Sequence, residues 1–216
     1  MTASLDIDEL FHLAIHASGE GRYDSAITFL KQALDQEPEN AEMIYLLAAQ
    51  HAQLGMYDRA IAGMTRSLEL KPDLHTNRFQ LGLLHLTLGQ VDSAVSTWEA
   101  LDNLEDQESL KLFKQGLCAL IQEELDTAHA KLDQGIQNNQ ANPALNKDMQ
   151  KIITEIKKMR NNSDEALTGE NATENTMDDQ QVLKQPNNEN TLKTSIPNPV
   201  LLSAYRRDSD NANDDD

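Results

Sequence analysis

Apolar residues along the first 160 positions recur at spacings of three and four, with polar residues between them, as expected of helices that bury part of their circumference. The spacing runs through Leu10, Ala14 and Ala17, then Ala26 and Leu30, and breaks between these runs at Gly21. The same break returns every 34 residues: Gly-Arg-Tyr-Asp-Ser-Ala-Ile from Gly21 recurs from Gly55 as Gly-Met-Tyr-Asp-Arg-Ala-Ile and from Gly89 as Gly-Gln-Val-Asp-Ser-Ala-Val. A fourth, altered copy starts at Glu123 as Glu-Glu-Leu-Asp-Thr-Ala-His. Each copy predicts two helices joined by a glycine turn. Asp24, Asp58, Asp92 and Asp126 are expected at or near the start of each second helix, where free N–H groups and the helix dipole favour a carboxylate. Pro38 and Pro72 end two of those helices, so the expected fold is all-α.

Two columns of small residues say how the helices pair. Ala14, Ala48, Gly82 and Gly116 let each first helix approach its second closely, and Ala26, Ala60, Ala94 and Ala128 supply the facing small surface. A further helix is predicted after the repeats. Asn142-Pro143 is a favourable start, and Leu145, Met149, Ile152, Ile156 and Met159 follow at helical spacing while Lys147, Lys151 and Lys158 fall on other faces. It is expected to cap the stack over residues 143–160.

The period and the residues resemble the tetratricopeptide repeat, whose pattern is Trp-x2-Leu-Gly-x2-Tyr, then Ala-x3-Phe, then a closing proline. Residues 7–40 place Leu10, Leu13, Ala14, Ala17, Ala26, Leu30 and Pro38 there. Residues 41–74 place Ile44, Leu47, Ala48, His51, Ala60, Met64 and Pro72. The copy over 75–108 has Arg78, Leu81, Gly82, His85, Ala94 and Trp98 and lacks the proline; that over 109–142 keeps Leu112, Gly116, Ala119, Ala128 and Leu132. The resemblance implies a right-handed α-solenoid of about four helix pairs with a C-terminal capping helix, and a non-enzymatic module for protein–protein interaction.

Residues 161–216 carry a single aromatic, Tyr205, and are rich in Asn, Asp, Glu, Thr and Ser; such a stretch is expected to be a disordered acidic tail. The net charge of −18 opposes nucleic acid and anionic bilayers, and no run reaches the roughly 18 apolar residues of a membrane span. The first ten residues show no basic, apolar leader, and one cysteine, Cys118, fits a reducing compartment; a cytoplasmic location is expected. The sequence carries no recognisable phosphate loop, nucleotide fingerprint or pair of catalytic carboxylates. His12 and His16 have i, i+4 spacing without a third ligand, and no basic group is placed to activate Cys118. The expectation is therefore no enzyme, no metal and no cofactor.

The informative column is the fifth residue of each repeat: Phe11, Tyr45, Phe79 and Phe113. Ile15, Ala49, Leu83 and Leu117 follow four residues later, and Ser18, Ala52, Leu86 and Leu120 three further on, so the columns form one stripe. In tetratricopeptide arrays this column resembles the concave face. Two readings stand open: the stripe packs neighbouring first helices together, or it is an exposed groove for an apolar helix or extended peptide. Repeat domains that clamp the acidic C-terminus of heat-shock chaperones carry Lys, Asn and Arg where this chain has Phe11, Ile15, Leu46, Thr76 and Gln80, so that clamp is absent. An apolar groove instead resembles repeat chaperones that shield apolar segments of secreted subunits. An adaptor or assembly factor leads the expected functions, followed by a chaperone that masks a client before export, and a homo-oligomeric structural protein. In the tail, Val200, Leu201, Leu202, Tyr205 and Arg206 stand out within an apolar island, 196–207, a motif expected either to dock in the chain's own groove or to bind another protein.

Overall fold

The computed structural model describes residues 5–168, with side chains to residue 161. Within them lie nine α-helices in consecutive pairs: α1 (Ile7–Gly19) with α2 (Tyr23–Gln36), α3 (Ala41–Gln53) with α4 (Tyr57–Leu70), α5 (His75–Thr87) with α6 (Val91–Trp98), α7 (Ser109–Ile121) with α8 (Leu125–Asn138), then α9 (Pro143–Thr168). Between α6 and α7 runs a 3-10 helix, Glu99–Asn103. Each pair also packs on its neighbour, α2 on α3, α4 on α5 and α8 on α9, so the chain is an all-α solenoid as the periodicity predicts.

The turn inside each pair is a repeated device. The amide of Arg22 donates to the Ala17 carbonyl at 2.8 Å, and the equivalents Met56 to His51, Gln90 to His85 and Glu124 to Ala119 each measure 2.9 Å. This six-to-one bond closes a Schellman motif, which requires a left-handed residue one place earlier. Gly21, Gly55 and Gly89 supply it, each at φ 73°, and in the fourth copy Glu123 adopts it at φ 62°. The four aspartates sit in the first turns of α2, α4, α6 and α8, but no side chain caps those helices, so they act on the dipole alone. True caps occur on first helices: Asp6 and Glu9 form a capping box on α1, and Asn40 accepts from the Met43 amide at 3.1 Å.

The small columns meet as expected. Ala26, Ala60, Ala94 and Ala128 are fully buried. A Cβ on Gly82 would lie 2.1 Å from Trp98 Nε1, one on Gly116 2.7 Å from Leu132 Cγ, and one on Gly63 2.7 Å from Ala48 Cβ.

Two features differ from the sequence-based expectation. The second helix of the third repeat stops as an α-helix at Trp98 and continues as 3-10. The buried column that holds Ala33, Ser67 and Gly135 in the other repeats holds Leu101 here. In the fourth repeat a Cβ at this place would already lie 2.5 Å from Phe113, so a leucine fits only if the winding changes. Secondly, α9 reaches Thr168, past the expected end at Arg160 and into the stretch assigned to the tail. Residues 161–168 hold no Gly or Pro and include the strong helix formers Glu165, Ala166 and Leu167.

Candidate functional site

Contacts fix three faces of the central helix α5. Toward α6, Gly82 meets Trp98, whose indole N–H donates to the Phe79 carbonyl at 2.9 Å. Toward α4, the Asn77 amide donates to the Met64 carbonyl at 3.0 Å and to Ser67 Oγ at 2.9 Å, and Ser67 Oγ donates to the Ala41 carbonyl at 2.7 Å. Toward α7, the Phe79 ring lies 6.1 Å from that of Phe113. Helical spacing leaves a fourth face, Thr76, Gln80, Leu83 and Thr87. The 34-residue shift puts Glu42, Leu46, Ala49 and Gln53 there on α3, and Leu110, Lys114, Leu117 and Ile121 on α7, where Lys114 pairs with Asp102 at 2.7 Å.

The expected stripe divides between two of these faces. Phe79 and Phe113, both 0% exposed, are core: Phe79 stacks on Trp98 at 5.8 Å and abuts Phe113. Leu86 and Leu120 belong to the same buried cluster. The reading of these four as an exposed groove is corrected here, and with them that of Leu83 and Leu117 in the same cluster and of Ala49 in the N-terminal one: two bulky rings in one column of adjacent helices meet each other before they meet solvent. Tyr45 is buried as well, and its hydroxyl donates to Gln80 Oε1 at 2.8 Å, linking α3 to α5. Phe11 and Ile15 on α1 are half-buried, at the edge of the N-terminal cluster.

Ala49, Leu83 and Leu117 lie on the fourth face, and so do Leu46 and Gln80, which sequence reasoning met only as positions of a missing clamp. All five are at most 5% exposed. On α1 the equivalent of Leu46 and Gln80, His12, is exposed, and that of Ala49, Leu83 and Leu117, Ile15, is half-buried. Leu46 was legible through its column, two residues before Ala48 in the small-residue series. Val200, Leu201, Leu202, Tyr205 and Arg206 lie outside the described residues.

The groups weighed for chemistry are dispersed. His12 and His16 are exposed on α1, with His16 Nδ1 3.5 Å from Glu20. Burial pushes the Cys118 thiol pKa up, with Lys114 pulling the other way and Asp102 adding to the rise, which favours the protonated thiol. Burial lowers the His51 pKa, helped by Arg59 and Lys31. Among the described residues no three His, Cys, Asp or Glu side chains converge on a metal-sized site. Among them too, no helix is long and apolar enough to cross a membrane.

The tetratricopeptide repeat family model matches residues 17–81, which span the first glycine turn, all of the second repeat and the start of α5. Those residues are tetratricopeptide repeats, and the chain has the tetratricopeptide fold. Its fold is similar to that of a thermophilic tetratricopeptide repeat protein of Thermus thermophilus, with TM-score 0.61 and 21% identity over 75% of this chain and 87% of that one. It is similar to a chain of the APC/C hetero-tetramer Cut9-Hcn1, with TM-score 0.60 and 18% identity over 76% of this chain but 32% of that one. It is also similar to PilW, a widely conserved type IV pilus biogenesis factor, with TM-score 0.53 and 20% identity over 64% of each chain. At such identities the likeness establishes the tetratricopeptide fold. No curated protein matches the chain in sequence.

Proposed function

We propose that this protein is a non-enzymatic interaction module, an adaptor or assembly factor that takes an apolar helix or extended segment of a partner protein on the fourth face of its first helices. One observation carries the reading. The first helices share an apolar column, Ala49, Leu83 and Leu117, which is buried along α3 and α5 and continues on α7 into the half-buried Leu110 and Ile121. A neighbour of the same fold forms a complex with a second protein in the Cut9-Hcn1 assembly, and PilW is named for biogenesis, which suits an assembly role. The missing basic clamp argues for apolar rather than carboxylate recognition.

A photo-crosslinking residue placed at Thr76 or Thr87, at the two ends of this face, tests the reading in the native cell extract. The same residue at Ser96, exposed on α6, is the control. A defined protein adduct from the inner positions alone is expected. Equal adducts from all three positions, or none, would sink the proposal. A chaperone of the same face would release its adduct partner in soluble form, and a self-associating protein would crosslink to its own copy.

A further inference from the structure

We propose that the protein has a second docking groove, on the outer side of the stack between α6 and α7, which takes a cationic amphipathic helix of a partner protein. The groove is separate from the inner face of the first helices, so the two readings can fail independently. It arises where the repeat is broken. On α4 the residues Tyr57, Ile61 and Leu68, spaced four and seven apart on one side, are half-buried, and so are their equivalents on α2 and α8. Each of those three second helices packs along the next helix in the chain: α2 on α3, α4 on α5 and α8 on α9. In the third repeat the same places hold Val91, Val95 and Asp102, and all three are exposed, the valines at 37% and 36%. There α6 does not pack along α7, which lies against α5 and the 3-10 helix instead. The facing wall is open too: Cys118 on α7 is half-buried, where Gln50 on α3 and Leu84 on α5, at the same place, are buried.

The groove is held open by the same change of winding that admits Leu101. Polar contacts replace the missing apolar ones: Lys114 donates to both Asp102 oxygens at 2.7 Å, and Lys111 donates to the Leu104 carbonyl at 2.9 Å and to Asp106 at 2.8 Å. On the inner side the joint is closed by the buried contact of Phe79 with Phe113, so the groove is preformed. Its occupant follows from the repeat and from charge. The other second helices receive a helix on this side, and two valines one turn apart fit apolar residues at i, i+4 of another. Both lysines of the α7 wall are already neutralised, by Asp102 and Asp106. Asp92 and Glu99 are exposed on α6, and Glu123 and Glu124 are exposed where α7 ends, at the same edge of the stack where α6 begins. The surplus around the valines is therefore negative, which favours lysine or arginine beside the apolar stripe of the partner and repels an acidic one.

The test uses the full chain with isotope-labelled methyl groups and two synthetic amphipathic helices as probes, one of leucine and lysine, the other of leucine and glutamate in the same pattern. The lysine probe should shift the Val91 and Val95 methyl signals and slow alkylation of Cys118, and the glutamate probe should do neither. Val91→Ser with Val95→Ser should weaken binding of the lysine probe by about tenfold or more, as loss of a central apolar contact does. Glu99→Lys, which leaves the valines in place, should weaken it as well. Shifts confined to other methyl groups overturn the proposal, as does binding that survives the serine substitutions or is equal for the two probes. Val91 and Val95 signals that move with protein concentration alone would mean that a second copy fills the groove, which also overturns it.

Discussion

Gly82 and Trp98 occupy one space: a Cβ on the glycine would lie 2.1 Å from the indole nitrogen, which is held by its bond to the Phe79 carbonyl at 2.9 Å. The tryptophan cannot retreat without breaking that bond and its stack on Phe79. Gly82→Ala is therefore expected to destabilise the protein by about 1 to 3 kcal/mol, as overpacking does, and Ala60→Leu by a similar amount in the second repeat. Urea denaturation measures both. An unchanged midpoint for Gly82→Ala would mean that the indole sits elsewhere.

Glu123 is the left-handed residue of the fourth turn, at φ 62°, where the other repeats have glycine. A side chain in that region costs about 1 to 2 kcal/mol, and glycine's greater freedom in the unfolded chain returns part of this. Glu123→Gly should stabilise the protein by roughly 0.5 to 1 kcal/mol, read as a higher denaturation midpoint. Ala in its place should gain nothing, because the strain comes from Cβ and not from the carboxylate.

The stack was legible because each repeat states the same arrangement again. The glycine turns, the small columns and the start of α9 at Pro143 all followed from residue type at a fixed spacing. What stayed hidden depended on neighbours the spacing does not name. Phe79 and Phe113 read equally well as groove or core, since column five faces the next helix and the inner side at nearly the same angle. Only the ring contact at 6.1 Å decides between them. Leu101 gave no local warning that α6 would change its winding, because the conflict lies with the slot it enters. The buried bridge from Asn77 to Ser67 was likewise invisible, its partners being ten residues apart on different helices.

His51, in the packing column of α3, should make stability fall with acidification. Its folded pKa is below the ordinary 6.5, so the fold prefers the neutral ring and the unfolded chain binds the proton first. The contribution is complete above the unfolded value and is lost as pH falls through it toward the lower folded value. Thermal midpoints between about pH 7.5 and about pH 5 should drop less in His51→Gln than in the natural protein. Parallel curves would show that His51 does not report its burial.

Phe79 and Phe113 should behave as one core unit. Each is fully buried, and a phenylalanine truncated to alanine in a core costs about 3 to 5 kcal/mol. Their rings touch, so the double variant should deviate from additivity by about 0.5 to 1.5 kcal/mol, the range of aromatic pairs. A stack made of nearest-neighbour interfaces localises that coupling between α5 and α7, and Leu10→Ala in α1 should add independently to either change. Chemical denaturation of the four variants measures the cycle. Additivity within about 0.3 to 0.5 kcal/mol for Phe79 with Phe113 would mean that the rings are apart in solution, and would return both side chains to the surface that binds a partner.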